Sequence, residues 1–119
     1  MSVLIAILSQ GKGTWSHLKK LIEKSEYEKI FIITNDFGIE KYAPEKGEKM
    51  IKVNFDDNSK QIRDSIVSQL KEALSEELEV DINITSGNGK EHTALLSAVL
   101  RMGVGVRIVD MIDEKVEEL

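Results

Sequence analysis

Cysteine is absent from the 119 residues, which excludes disulfide frameworks, thiolate metal sites and cysteine nucleophiles. Two histidines are too few for a His-rich metal centre, and neither a metal nor a cofactor is expected. Positive charge is also in short supply. Sixteen Lys and Arg stand against 21 Asp and Glu, a formal net charge of -5, which argues against binding bulk DNA or RNA through its phosphates. No apolar run approaches the eighteen or so residues that span a membrane. Met1-Ser2 passes straight into the apolar segment Val3–Leu8, without the positive flank and small-residue cleavage site of a signal peptide, so a cytoplasmic location is expected. With 41% apolar residues, a chain this short can bury one core. Residues 1–119 are therefore read as a single domain, and a two-domain enzyme is excluded.

What is present is a series of short, branched, apolar runs separated by helical patterns. Val3–Leu8 and Ile30–Ile33 are uninterrupted, as strands buried on both faces are, and Met50, Ile51, Val53 and Phe55 mark a weaker third strand. Val80, Ile82 and Ile84 alternate with Asp81, Asn83 and Thr85, and Val104, Val106 and Ile108 form a fifth strand. Trp15, Leu18, Leu21 and Ile22 predict a helix from Thr14 to about Glu23, with Thr14 or Gly13 as its cap. A stripe from Ile62 to Leu78, preceded by Asp57-Asn58-Ser59, predicts a second. Leu95 to Met102, closed by Gly103, predicts a third. Residues 37–49 leave room for one short helical turn, and the tail from Ile112 to Leu119 for a final turn or two. This order implies an α/β, three-layer, Rossmann-like fold with a mostly parallel five-stranded sheet in the order 3-2-1-4-5. Asp81, Asn83, Thr85 and Arg107 should then form a polar strip on the face of the last two strands that lacks a covering helix. Either water or a second subunit would have to cover it.

Strands one and four are where the strand order reverses, so the loops after them should line one crevice. Those loops are Ser9-Gln10-Gly11-Lys12-Gly13-Thr14 and Thr85-Ser86-Gly87-Asn88-Gly89-Lys90, the latter running on to His92. Each leads into a helix start and supplies hydroxyls and an ammonium, which together suit phosphate. The P-loop pattern fails in both, because no glycine lies five positions before Gly89 and Glu91 occupies the Ser/Thr place. A dinucleotide fingerprint is partly matched by Gly11, Gly13 and Ser16, with Asp36 ending the second strand. Glycines after strands also serve ordinary turns, so an interaction module with structural loops stands as an alternative. Trp15 and the two histidines are read as core or surface residues, and Asp56-Asp57 as helix-capping acids rather than a metal pair.

The stretches Ile7–Thr14 and Asn83-Ile-Thr85-Ser-Gly87-Asn-Gly-Lys90, followed by the small and apolar Ala94–Ala98, resemble the CARF domains, the CRISPR-associated Rossmann-fold ligand sensors. The resemblance spans the sheet order and two short motifs. It implies a homodimer that binds a cyclic oligoadenylate across its two-fold axis with the loops after strands one and four. Some members, the ring nucleases, cleave that ligand slowly without a metal. With no effector domain in these 119 residues, the resemblance implies a sensor subunit, a sponge or a stand-alone ring nuclease. Cleavage would use the 2′-OH of the ligand, with Ser9 orienting it and Lys90 stabilising charge.

Overall fold

The computed structural model describes residues 2–9 and 12–119, with the backbone alone for Lys12 and Gly13. Its elements are β1 (Val3–Ile7), α1 (Lys12–Lys24), β2 (Lys29–Thr34), α2 (Asp36–Lys41), β3 (Lys49–Lys52), α3 (Ser59–Leu70), β4 (Glu79–Asn83), α4 (Gly89–Met102), β5 (Gly105–Ile112) and β6 (Lys115–Glu118). They form one mixed sheet in the order β3-β2-β1-β4-β5-β6. The first five strands are parallel, with Ile5 level with Phe31 on one side and Ile82 on the other, and β6 is antiparallel to β5. The predicted fold and the order 3-2-1-4-5 are therefore found, with a sixth strand added.

Central β1 is buried along its whole length because each of its faces meets a separate apolar layer. Val3, Ile5 and Ile7 join Ile62, Ile66 and Leu70 of α3 and Leu95, Ala98 and Val99 of α4. Leu4 and Ala6 join Leu18, Leu21 and Ile22 of α1. The helix starts of α3 and α4 are built alike. Asn58 accepts from the Gln61 amide and Asn88 from the Glu91 amide, and each N3 side chain in turn accepts from its cap amide. Gly103 closes α4 at φ 75°, a left-handed conformation that glycine adopts without steric cost.

Four expectations need correction. The tail from Ile112 is not helical: it turns through Asp113 (φ 48°) and Glu114 (φ 69°) and pairs as β6. A two-residue loop with both φ values positive suits the twist of a hairpin, and Met111 and Val116 thereby reach the α1 layer. The stripe predicted to Leu78 breaks after Leu70. The Ser75 hydroxyl donates to the Glu72 carbonyl, a local bond that competes with the helix. Leu74 is still buried while Leu78 is 91% exposed. Helix α1 begins at Lys12, so Gly13 and Thr14 lie in its first turn and do not cap it.

Finally, the polar strip is covered by this chain itself. Asp81 and Asn83 are buried. The Tyr27 hydroxyl donates to Asp81 at 2.5 Å and the Arg107 guanidinium at 2.9 Å, while Asn83 Nδ2 donates to the Val109 carbonyl at 2.9 Å. Burial and the neighbouring carboxylate push the Tyr27 hydroxyl well above its ordinary value, so it remains a donor. Only Thr85 and Arg107 of the strip are exposed. The strip thus supplies no reason for a second subunit at that face.

Candidate functional site

The loops that follow β1 and β4 meet at the carboxyl end of the sheet. The Ser9 amide donates to Ser86 Oγ at 3.0 Å, and both serines are buried. His92 Nε2 lies 2.9 Å from the Ser86 carbonyl. A carbonyl only accepts, so His92 holds a proton on Nε2. The Trp15 indole N–H donates to the Ser9 carbonyl at 2.9 Å, fixing the end of β1 from the other side. Trp15 is thus a half-buried brace, in line with its reading as core.

Beside this junction lies a cleft of about 480 Å³. Of the residues singled out in the sequence, Ser9, Gly87, Asn88 and Lys90 line it. The Lys90 ammonium crosses to the Phe55 carbonyl in the loop after β3, 2.7 Å away. In α4 the Asn88 and Glu91 side chains satisfy each other's amides. That capping box does not use the amides of Gly89 and Lys90, which belong to the first helical turn and have no intrahelical acceptor. Gly89 has open space around its Cα.

Other nominated residues stand elsewhere. Ser86 and His92 form the support beneath the cleft. Thr85 is exposed, and its hydroxyl donates to Asp110 at 3.3 Å. Thr14 is half-buried in α1. Gln10 and Gly11 lie outside the described residues, as does the side chain of Lys12; of Gly13 the backbone is placed in α1. Asn35, Asn54, Phe55, Asp56 and Glu91 also line the cleft and were not nominated. The order 3-2-1 puts the end of β2 beside that of β1 and the end of β3 next after it, and that was the signal available for Asn35 and Asn54.

His17 is not the plain surface residue its helical position indicated. Its Nε2 lies 2.7 Å from Asp110 Oδ1, which also accepts from the Met111 amide. Burial raises the Asp110 carboxyl, but the bonds from His17, Met111 and Thr85 outweigh it and hold the group below its ordinary value. Glu48 behaves alike. It is buried in the connection just before β3, where desolvation is outweighed by donation from the Tyr42 hydroxyl and the Lys46 and Glu45 amides. A carboxyl lowered in the folded state adds stability above its unfolded value and loses it as pH falls through the folded one. Thermal stability is therefore expected to fall as pH drops below the ordinary glutamate value of 4.5. Replacement of Glu48 by Gln should flatten that acid limb in a melting series from pH 7 to 3; an unchanged limb would show that Glu48 is not part of it.

Asp56 and Asp57 do not cap α3; Asn58 does. Among the described residues no group of three or more His, Cys, Asp or Glu side chains is arranged to hold a metal ion, and no helix is long and apolar enough to cross a membrane. Two features of a dinucleotide site are differently employed: Asp36 pairs with Lys52 at 3.0 Å and Ser16 is exposed. No protein-family model matches this sequence, and no curated protein matches it.

Proposed function

We propose that the cleft between the β1 and β4 loops binds the phosphodiester of a nucleotide ligand, a cyclic oligoadenylate in the reading that the CARF resemblance favours. The observation that carries this is the convergence on one cleft of Ser9, Asn88 and the Lys90 ammonium at the first turn of α4. Asp56 and Glu91 stand in the same cleft. Among the described residues one lysine stands beside these two carboxylates, a balance that suits a phosphodiester carrying a single negative charge. Two such clefts in a homodimer would present a symmetric pair of phosphate sites to a symmetric ring. A ring opened there would be cut by its own 2′-OH, aligned near Ser9: the 2′-oxygen bonds to the adjacent phosphorus to give a 2′,3′-cyclic phosphate, the 5′-oxygen leaves and is protonated by water, the 2′ proton passes to water, and Lys90 stabilises charge on the phosphate.

Titration calorimetry with cyclic tri-, tetra- and hexa-adenylate, with NAD and ATP as controls, tests the reading. One ring should bind more tightly than ATP. Lys90→Ala removes a charge-assisted contact and should weaken that binding by about tenfold to a hundredfold. Chromatography of the mixture detects linear products, and Ser9→Ala should slow their appearance more than it weakens binding. Sedimentation should give a dimer. Tight NAD binding with no response to any ring would replace this proposal by the dinucleotide one. No binding at all, with a neutral Lys90→Ala, would leave an interaction module.

A further inference from the structure

The cleft just described continues past Asn35 and Asn54 into a second, wider one of about 620 Å³, since both asparagines line both. Phe37 stands on the wall of that second cleft, 49% exposed. An aromatic ring open to water at the mouth of a polar cleft is a stacking surface whose exposed part has no occupant among the described residues. It is also a braced one. Its ring lies against Trp15 with centroids 5.9 Å apart and planes tilted by 57°, and Trp15 is anchored to the Ser9 carbonyl. Phe37 is therefore tied through one side chain to the residue that lines the phosphate cleft.

The polar groups around it have a definite character. Asn35 Oδ1 is occupied by the Gly38 amide as the cap of α2, which leaves the Nδ2 hydrogens to donate. Asp36 is paired with Lys52. Asp57 is half-buried, and its carboxylate faces Asn54 Nδ2 at 3.4 Å, which leaves it acceptor capacity. One amide donor and one carboxylate acceptor beside an aromatic face match the edge of a nucleobase, which presents a hydrogen-bond donor next to an acceptor.

Resting on the phosphate reading above, we propose that this second cleft is a nucleobase subsite. Phe37 is its stacking residue, and Asp57 and Asn35 meet the hydrogen-bonding edge of the base. A base stacked on Phe37 and a phosphate on Lys90 belong to one nucleotide unit laid across the ends of β2 and β1.

The test uses the linear dinucleotide ApA, with dimethyl phosphate as a phosphodiester that carries no base. Calorimetry should show tighter binding of ApA, and the emission of Trp15, the one tryptophan in the chain, should change as ApA is added. Phe37→Ala and Phe37→Leu should each weaken ApA binding by about tenfold or more, and Phe37→Tyr should restore it. Asp57→Asn should narrow the gap between ApA and dimethyl phosphate. Because Phe37 is half exposed, its variants are expected to melt as the parent does. Unchanged ApA affinity in Phe37→Ala, with loss in Lys90→Ala, would overturn the base subsite and leave the phosphate reading intact. Loss in Phe37→Ala with a neutral Lys90→Ala would uphold the subsite and remove the phosphate role. No binding of ApA by the parent, or a change in sedimentation as the sole effect of Phe37→Ala, would overturn the proposal.

Discussion

Replacing Gly38 by alanine is expected to destabilise the protein by about 2 to 4 kcal/mol, a large share of what a domain this size has to lose. A Cβ built at Gly38 falls 1.8 Å from Thr34 Oγ1 and 2.9 Å from Thr34 Cβ. Thr34 is fully buried at the end of β2, and its hydroxyl donates to the Leu8 carbonyl at 2.6 Å. It can turn aside only by leaving that carbonyl unpaired. Moving α2 instead would open the bond from the Tyr42 amide to the Gly38 carbonyl and the cap bond from Gly38 to Asn35. Urea unfolding measures the loss. Gly89→Ala, which meets nothing within 4 Å, is the control and should stay within about 1 kcal/mol of the parent. The cause is checked by adding Thr34→Ala: the double variant should lose less than the two singles together. Strict additivity would mean that the contact is not the reason.

Gly87→Ala should damage both stability and the cleft. Gly87 has φ +106°, which an L-residue rarely adopts, and its added Cβ would meet Glu91 Oε1 at 2.9 Å, His92 Nε2 at 3.1 Å and Ile7 Cγ2 at 3.2 Å. The backbone strain alone is of order 1–3 kcal/mol. The two polar neighbours are the carboxylate that accepts from the Asn88 amide and the imidazole that holds the Ser86 carbonyl. Displacing either loosens the start of α4 and the junction with Ser9. A loss of about 2 to 4 kcal/mol in urea unfolding is expected. Any nucleotide affinity should fall further than in Lys90→Ala, because the amides of Gly89 and Lys90 lose their orientation along with the ammonium. A variant that unfolds like the parent and binds like it would show that the loop tolerates a side chain.

Much of this architecture is legible residue by residue. The unbroken Val3–Leu8 and Ile30–Ile33 runs required burial on both faces, hence a parallel central sheet. Asn58 and Gly103 marked helix ends through bonds to residues at most a turn away, and right-handed crossovers then left one strand order. The place where Ser9 meets Gly87 and Lys90 follows from that order, because a switch point is a property of connectivity. These features depend on near neighbours and on the hand of the chain, both of which are written locally.

The rest was decided by pairings between residues far apart in sequence. The tail became β6 although Asp113-Glu114 lacks the Asn-Gly signature of its turn, because the edge of β5 and the α1 layer reward Met111 and Val116 more than a free helical turn would. Asp81 and Arg107 read as a strip awaiting water or a partner until Tyr27, from the turn after α1, completed their hydrogen bonds. His17 took its role from Asp110 at the opposite end of the chain, and Asn35 and Phe37 entered the clefts through the packing of α2 against Thr34 and Trp15. Periodicity shows which face of an element is apolar, but the partner of a polar side chain depends on distances set when the layers close.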